Sequence, residues 1–253
     1  TPDWKGTQRD YEQKVRRLFR QGNWEGGKKV LDEALGKYES DPQLNQLLGA
    51  YWLHYSQYNR ARYYLIRSLR ADKRNPQTLE LLMKVEEITQ HYSSAIVYCN
   101  SLLELAPYDY TLWRKKIALF RQQGNEAEAS RLLKRLEEMY PEREDVRKEI
   151  AGDYETRYLN YRKKRNQAGE EAMLRHLVDI LPKNAEYQMA LCNLLTATGR
   201  MEDAIDVAGH AATVVANPLP FVEKKASILG GMTRYSEALA YLKEAGREHP
   251  GLR

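Results

Sequence analysis

Ala61, Ala95 and Ala129 stand 34 residues apart, each after a turn-like segment (SQYNRA, QHYSSA, GNEAEA) and at the head of an apolar helical pattern. Gly27 carries the series back by the same step, and Ala204 and Ala238 resume it. A fixed period of this size marks a stacked-repeat architecture, in which no unit buries its apolar face alone and each relies on its neighbours. Ala129 and Ala204 are 75 residues apart, two periods plus seven, so one unit is expected to carry a seven-residue insertion.

Other positions recur around this frame. Trp24, Tyr58, Tyr92 and Tyr235 precede the small residue by three, and Leu31, Leu65, Cys99, Leu133 and Leu242 follow it by four. These spacings put turn aromatic, small contact residue and large apolar residue on one helical stripe. The segments QGN, QQGN and TGR, with prolines at 42, 76, 107, 141, 182 and 250, punctuate helices of about a dozen residues. The pattern is a string of helical hairpins. With 253 residues, 42% of them hydrophobic, the chain can supply a core, and no run of 18 apolar residues suits a bilayer.

On these positions the chain resembles the tetratricopeptide repeat family, whose unit is a pair of antiparallel helices with a small-large apolar signature. Residues 110–143 match best, supplying Trp113, Gly124, Ala129 and Pro141; Leu48, Gly49 and Ala61 repeat the pattern in 42–75. The resemblance implies an all-α fold, an α-solenoid forming a right-handed superhelix of about seven hairpins in one array over 1–253. The units are 8–41, 42–75, 76–109, 110–143, 144–184 with the insertion, 185–218 and 219–251. The fifth matches least: no alanine falls at its expected place, and Pro141 and Pro182 are 41 residues apart.

Within this frame the aromatic-rich stretch LLGAYWLHYSQYNRARYYL (47–65) reads as core rather than as a base-stacking platform. Trp52 and Tyr58 fall on recurring apolar positions, with Tyr51 and Tyr55 beside them on the inward side. Of Tyr63 and Tyr64, one is expected on the outer face.

Signatures of catalysis are missing from the sequence. Five histidines are scattered without HExxH spacing, and there is no GxSxG elbow or phosphate loop. Cys99 and Cys192 fall in helix-contact slots and read as small buried hydrophobes; two cysteines exclude a four-thiolate metal site. The reading is a non-enzyme, with no metal or cofactor.

Binding is the expected role, because stacked hairpins of this family line a concave groove with their first helices. Carried over position by position, the resemblance implies groove side chains Arg9, Arg16, Phe19 and Arg20 in the first unit, Leu53 and His54 in the second, and Lys84 and Ile88 in the third. Arg114 and Arg121 follow in the fourth and Lys148 in the fifth. Ala50, Ala118 and Gly152 keep the floor open. The cations could fork onto carboxylates of an extended acidic peptide or partner protein; the plainer alternative is a solvated helix surface. A basic clamp for chaperone C-termini, known in some family members, is absent, since its positions hold Glu12, Arg16, Leu47, Gln77 and Leu81.

A second candidate is the run Arg162, Lys163, Lys164 and Arg165 in RYLNYRKKRNQ. Seven residues are close to two helical turns, so the insertion lengthens the first helix of the fifth unit by roughly 10 Å without rotating its packing face. The basic tip, with Tyr158 and Tyr161, would then project from the array, or simply offset the helix dipole. Net charge is +5, and residues 1–75 hold 15 Lys or Arg against 9 Asp or Glu. Nucleic acid, bound through this N-terminal basic surface and the 162–165 tip, is therefore the rival partner, ranked below protein or peptide. No polar closing helix follows Pro250, so the last hairpin is expected to continue in a longer array or to be covered by another protein or a second copy. The opening segment has no apolar signal core, but a cleaved signal leaves no trace, so cytoplasmic and exported locations both stay open.

Overall fold

The computed structural model describes residues 7–252. The first six residues and residue 253 of the expected array, with Lys5 of the basic surplus, lie outside the described residues. The fold is all-α. Its hairpins are α1 (Gln8–Arg20) with α2 (Trp24–Lys37), α3 (Pro42–His54) with α4 (Tyr58–Ala71), α5 (Pro76–Ile88) with α6 (Tyr92–Leu105), and α7 (Tyr110–Gln122) with α8 (Glu126–Met139). They continue as α9 (Glu144–Lys163) with α10 (Gln167–Ile180), α11 (Ala185–Ala197) with α12 (Met201–Val214), and α13 (Leu219–Gly231) with α14 (Tyr235–Glu248), followed by a 3-10 turn, Pro250–Leu252.

Turn chemistry explains the regularity. In each of the seven hairpin turns one residue takes a left-handed backbone: Gly22, Ser56, Gln90, Gly124, Arg165, Gly199 and Thr233. Glycine adopts this conformation without a Cβ penalty. The next residue caps the second helix, as where the Asn23, Asn125 and Asn166 side chains accept from the N–H of Gly26, Glu128 and Gly169. The first helices start in the same way, with Asp41, Asn75, Asp109 and Asn184 as caps and Pro42 and Pro76 just inside.

The recurring small residue is buried in every hairpin that has one: Gly27, Ala61, Ala95, Ala129, Ala204 and Ala238. At Gly49, on the facing helix, an added Cβ would lie 2.5 Å from Leu65 Cγ, so the buried Leu65 side chain fills the space a side chain there would need.

The helices gather into two compact units, one ending at Leu136 and the other beginning at Glu137. In the first, α1 touches α3 and α3 touches α5, while α2, α4 and α6 each pack on the helices before and after them. Its core includes Tyr11, Val15, Leu31, Leu44, Leu48 and Tyr51, continued by Ala61, Leu65, Leu82 and Val85. Fully burying one such leucine contributes about 1.5–3 kcal/mol. In the second, α9 to α14 pack each on the next; its core includes Ile150, Tyr154, Leu174, Leu177, Leu191 and Leu195, and a cluster of Cys192, Ala208, Ala211, Ala212, Phe221 and Val222.

Two expectations need correction. Tyr55 is not core: it is 43% exposed, because its hydroxyl reaches outward to donate to Glu25 Oε1 at 2.9 Å. Leu242 leaves the buried stripe, at 43% exposure, because no described element packs on that face of α14; Tyr235 and Leu239 share the exposure. Tyr51 is buried, Trp52 and Tyr58 are half-buried against the core, and Tyr63 faces outward.

Candidate functional site

In the first unit the odd helices carry the expected groove residues, and the structure sorts these into committed and uncommitted side chains. Arg16 is committed: its Nε donates to Glu12 Oε1 at 2.9 Å and its Nη2 to Gln46 Oε1 at 3.1 Å. Buried Gln46 passes the connection on, donating to Asn75 Oδ1 at 3.2 Å and Thr78 Oγ1 at 3.1 Å, and Thr78 bonds Ser68 Oγ at 2.9 Å. This chain ties α1, α3, α4 and α5 together. A half-satisfied buried network costs more than an apolar one, so each member holds the others in place.

Phe19 and His54 are both committed to aromatic stacking on one indole. Phe19 stacks on Trp24 at 4.4 Å and His54 on Trp24 at 4.0 Å, nearly parallel. Gly27 makes room for Phe19, whose ring would lie 2.4 Å from a Cβ at that position. Beside this stack, Tyr51 and Tyr55 both donate to Glu25, and the Tyr55 bond, followed by that of Tyr51, holds the Glu25 carboxyl below its ordinary value. Burial pushes the Tyr51 hydroxyl up to about 12.

Arg114 lies with its guanidinium 5.9 Å from the Tyr110 ring, and Arg121 pairs with Glu126 at 3.8 Å. Lys115 and Gln122 both reach Glu87, which ties α7 to α5. Leu53 is half-buried against Ala61, Leu65, Leu82 and Val85. The uncommitted set is smaller. Arg9 and Lys84 are exposed cations, Arg20 is exposed with only its Nε bonded, to the Arg16 carbonyl, and Ile88 is 43% exposed at the end of α5.

In the second unit α9 has 20 residues where α7 and α11 have 13. Arg162 and Lys163 form its last turn, Lys164 is its C-cap, and Arg165 is the left-handed residue of the turn; all four are exposed. Their place at a helix C-terminus offsets the carbonyl end of the dipole. Tyr161 anchors the extension, its ring filling the space over Gly169 where a Cβ would come within 2.4 Å.

Two cavities flank α9. Lys148 lines one of about 370 Å³, together with Arg147 and Glu144 and with Ile180 to Asn184 of the α10–α11 connection. The extension itself, through Tyr158 and Arg162, walls another of about 490 Å³ against α11. Arg147, Lys183, Glu170 and Glu186 were not among the expected site residues. The signal for Glu170 was present in the sequence: it is the fourth residue of α10, the slot where α2, α4, α6, α8, α12 and α14 carry the small buried residue.

Burial pushes the Cys99 and Cys192 thiols up to about 11, so both are poor nucleophiles near neutrality. Among the described residues, no group of three or more His, Cys, Asp or Glu is placed to hold a metal ion, and no helix is long and apolar enough to cross a membrane.

No protein-family model matches the chain, and no curated protein matches it. Solved structures do. The C-terminal part of a tetratricopeptide repeat protein from Cytophaga hutchinsonii aligns with a TM-score of 0.53 at 17% identity, over 74% of this chain and 74% of that one. A structure of Naa15/Naa10 bound to HypK-THB aligns with a TM-score of 0.52 at 15% identity, over 96% of this chain, which spans 37% of that one. A tetratricopeptide repeat protein from Parabacteroides merdae gives 0.49 at 16% identity, over 95% of this chain and 92% of that one. At these identities the likeness is one of fold, and the fold is the tetratricopeptide-repeat type.

Proposed function

We propose that the chain is a non-catalytic recognition scaffold that binds an extended acidic segment of a partner protein along the odd helices of its first unit. The observation that carries this reading is the uncommitted set on the odd helices: Arg9 and Arg20 on α1, Lys84 on α5, and the exposed Ile88 four residues after Lys84. Cations held on a helical layer meet carboxylates at low ordering cost, and an apolar side chain one turn beyond Lys84 favours a segment that mixes acidic and apolar residues. A fold of this type in the Naa15/Naa10 assembly is bound to HypK-THB, which supports a role in assembly.

Random-peptide display on the immobilised chain tests the reading. Selected peptides should be enriched in Asp and Glu interleaved with apolar residues, and Arg9→Glu with Lys84→Glu should abolish their retention. The rival partner, nucleic acid, predicts instead that a single-stranded oligonucleotide binds with a steep loss of affinity on adding salt, weakened by neutralising Arg162 to Arg165. Display that returns no acidic bias, together with such oligonucleotide binding, would replace the acidic-segment reading.

A further inference from the structure

We infer that the cavity between the extension of α9 and α11 is a side-chain pocket for a lysine or arginine of a partner polypeptide. The pocket owes its existence to the insertion. Tyr158 and Arg162 stand at the fifteenth and nineteenth residues of α9, beyond the 13 residues of its counterparts, so a hairpin of ordinary length would leave this side of α11 without the wall.

The lining fits a long cationic side chain. Met189, Ala190 and Leu194 of α11 form an apolar surface along which an aliphatic stem can lie. Glu170 and Glu186 supply two carboxylates against the single guanidinium of Arg162, and among the described residues none of the three forms an ion pair. Glu170 is half-buried in a register that six other hairpins give to a small residue. With one guanidinium among two carboxylates, an incoming ammonium or guanidinium has a carboxylate to pair with. The Tyr158 ring adds a face for cation–π contact, and the Asn193 amide can bond the partner's backbone.

This pocket does not depend on the acidic-segment reading, which rests on the first unit. A partner satisfying both would carry a basic residue outside its acidic stretch.

Methyl NMR of the full chain labelled at its six methionines reads the pocket directly, with the Met189 signal assigned by Met189→Leu. Titration with acetyl-arginine amide should shift the Met189 methyl saturably and leave the others in place, whereas acetyl-citrulline amide, the uncharged isostere, should not. Glu170→Gln with Glu186→Gln should weaken the arginine probe about ten-fold, two partly exposed ion pairs being lost. Unchanged signals from the remaining methionines would show that this variant still folds, and Glu186→Gln alone, on the surface of α11, gives a second measure. Equal shifts with citrulline, no shift at Met189, or stronger binding of acetyl-glutamate amide would each overturn the proposal, the last by making Arg162 the anchor of an acid pocket.

Discussion

The two compact units spend their polar side chains differently. In the first, Arg16, Gln46, Asn75, Thr78 and Ser68 are joined across four helices, and Phe19, Trp24 and His54 are stacked, so positions that could face a ligand are consumed by the fold. In the second, the helices bury leucines such as Leu174, Leu177, Leu191 and Leu195 with Cys192 and the alanines of α12, while the lengthened α9 holds Arg162 and Tyr158 over an open cavity. The lesson is that a repeat position marks where a side chain starts, and its neighbours decide whether anything is left for a partner.

The sharpest way to break the contrast is to disturb the close approach in the first unit. Gly49→Val places a Cβ 2.5 Å from Leu65 Cγ, so the fully buried Leu65 must be displaced from its packing. Overpacking of this kind should cost about 2–3 kcal/mol, read as a lower urea midpoint and faster alkylation of buried Cys99. An unchanged midpoint would mean that α3 and α4 are not tightly apposed.

Gln46→Ala comes next. It removes the amide that donates to Asn75 Oδ1 and Thr78 Oγ1 and the acceptor of Arg16 Nη2, at a cost of about 1–3 kcal/mol. Chemical denaturation measures it, and a loss within a few tenths of a kcal/mol would show that the ladder across α1, α3 and α5 contributes little.

The smallest effect is expected in the second unit. Gly152, on α9, has no atom within 4 Å of an added Cβ, so Gly152→Ala should stabilise the helix by about 0.5–1 kcal/mol, seen as a small rise in melting temperature. A fall would place an unseen contact on that face.

Much of this architecture was legible in the sequence. The seven hairpins follow from the 34-residue period, the helix ends from Asn and Asp caps and prolines, and the length of α9 from seven residues in excess. The groove was legible only as positions. Sequence spacing could not tell that Arg16 is held by Gln46, 30 residues away, or that Tyr55 turns outward to Glu25, 30 residues back. The absence of alanine at position 170 marked the fifth hairpin as unusual without saying that a carboxylate there meets Glu186 across one cavity.

The sequence by itself determined which segments are helices, where they turn and which stripe each buries, because caps, left-handed turn residues and helical periodicity act within a few residues of the chain. Only the tertiary structure decided which polar side chains remain for a partner, because hydrogen bonds and ring stacks between successive hairpins compete for the same groups. The outcome of that competition is fixed by distances in space that spacing along the chain does not contain.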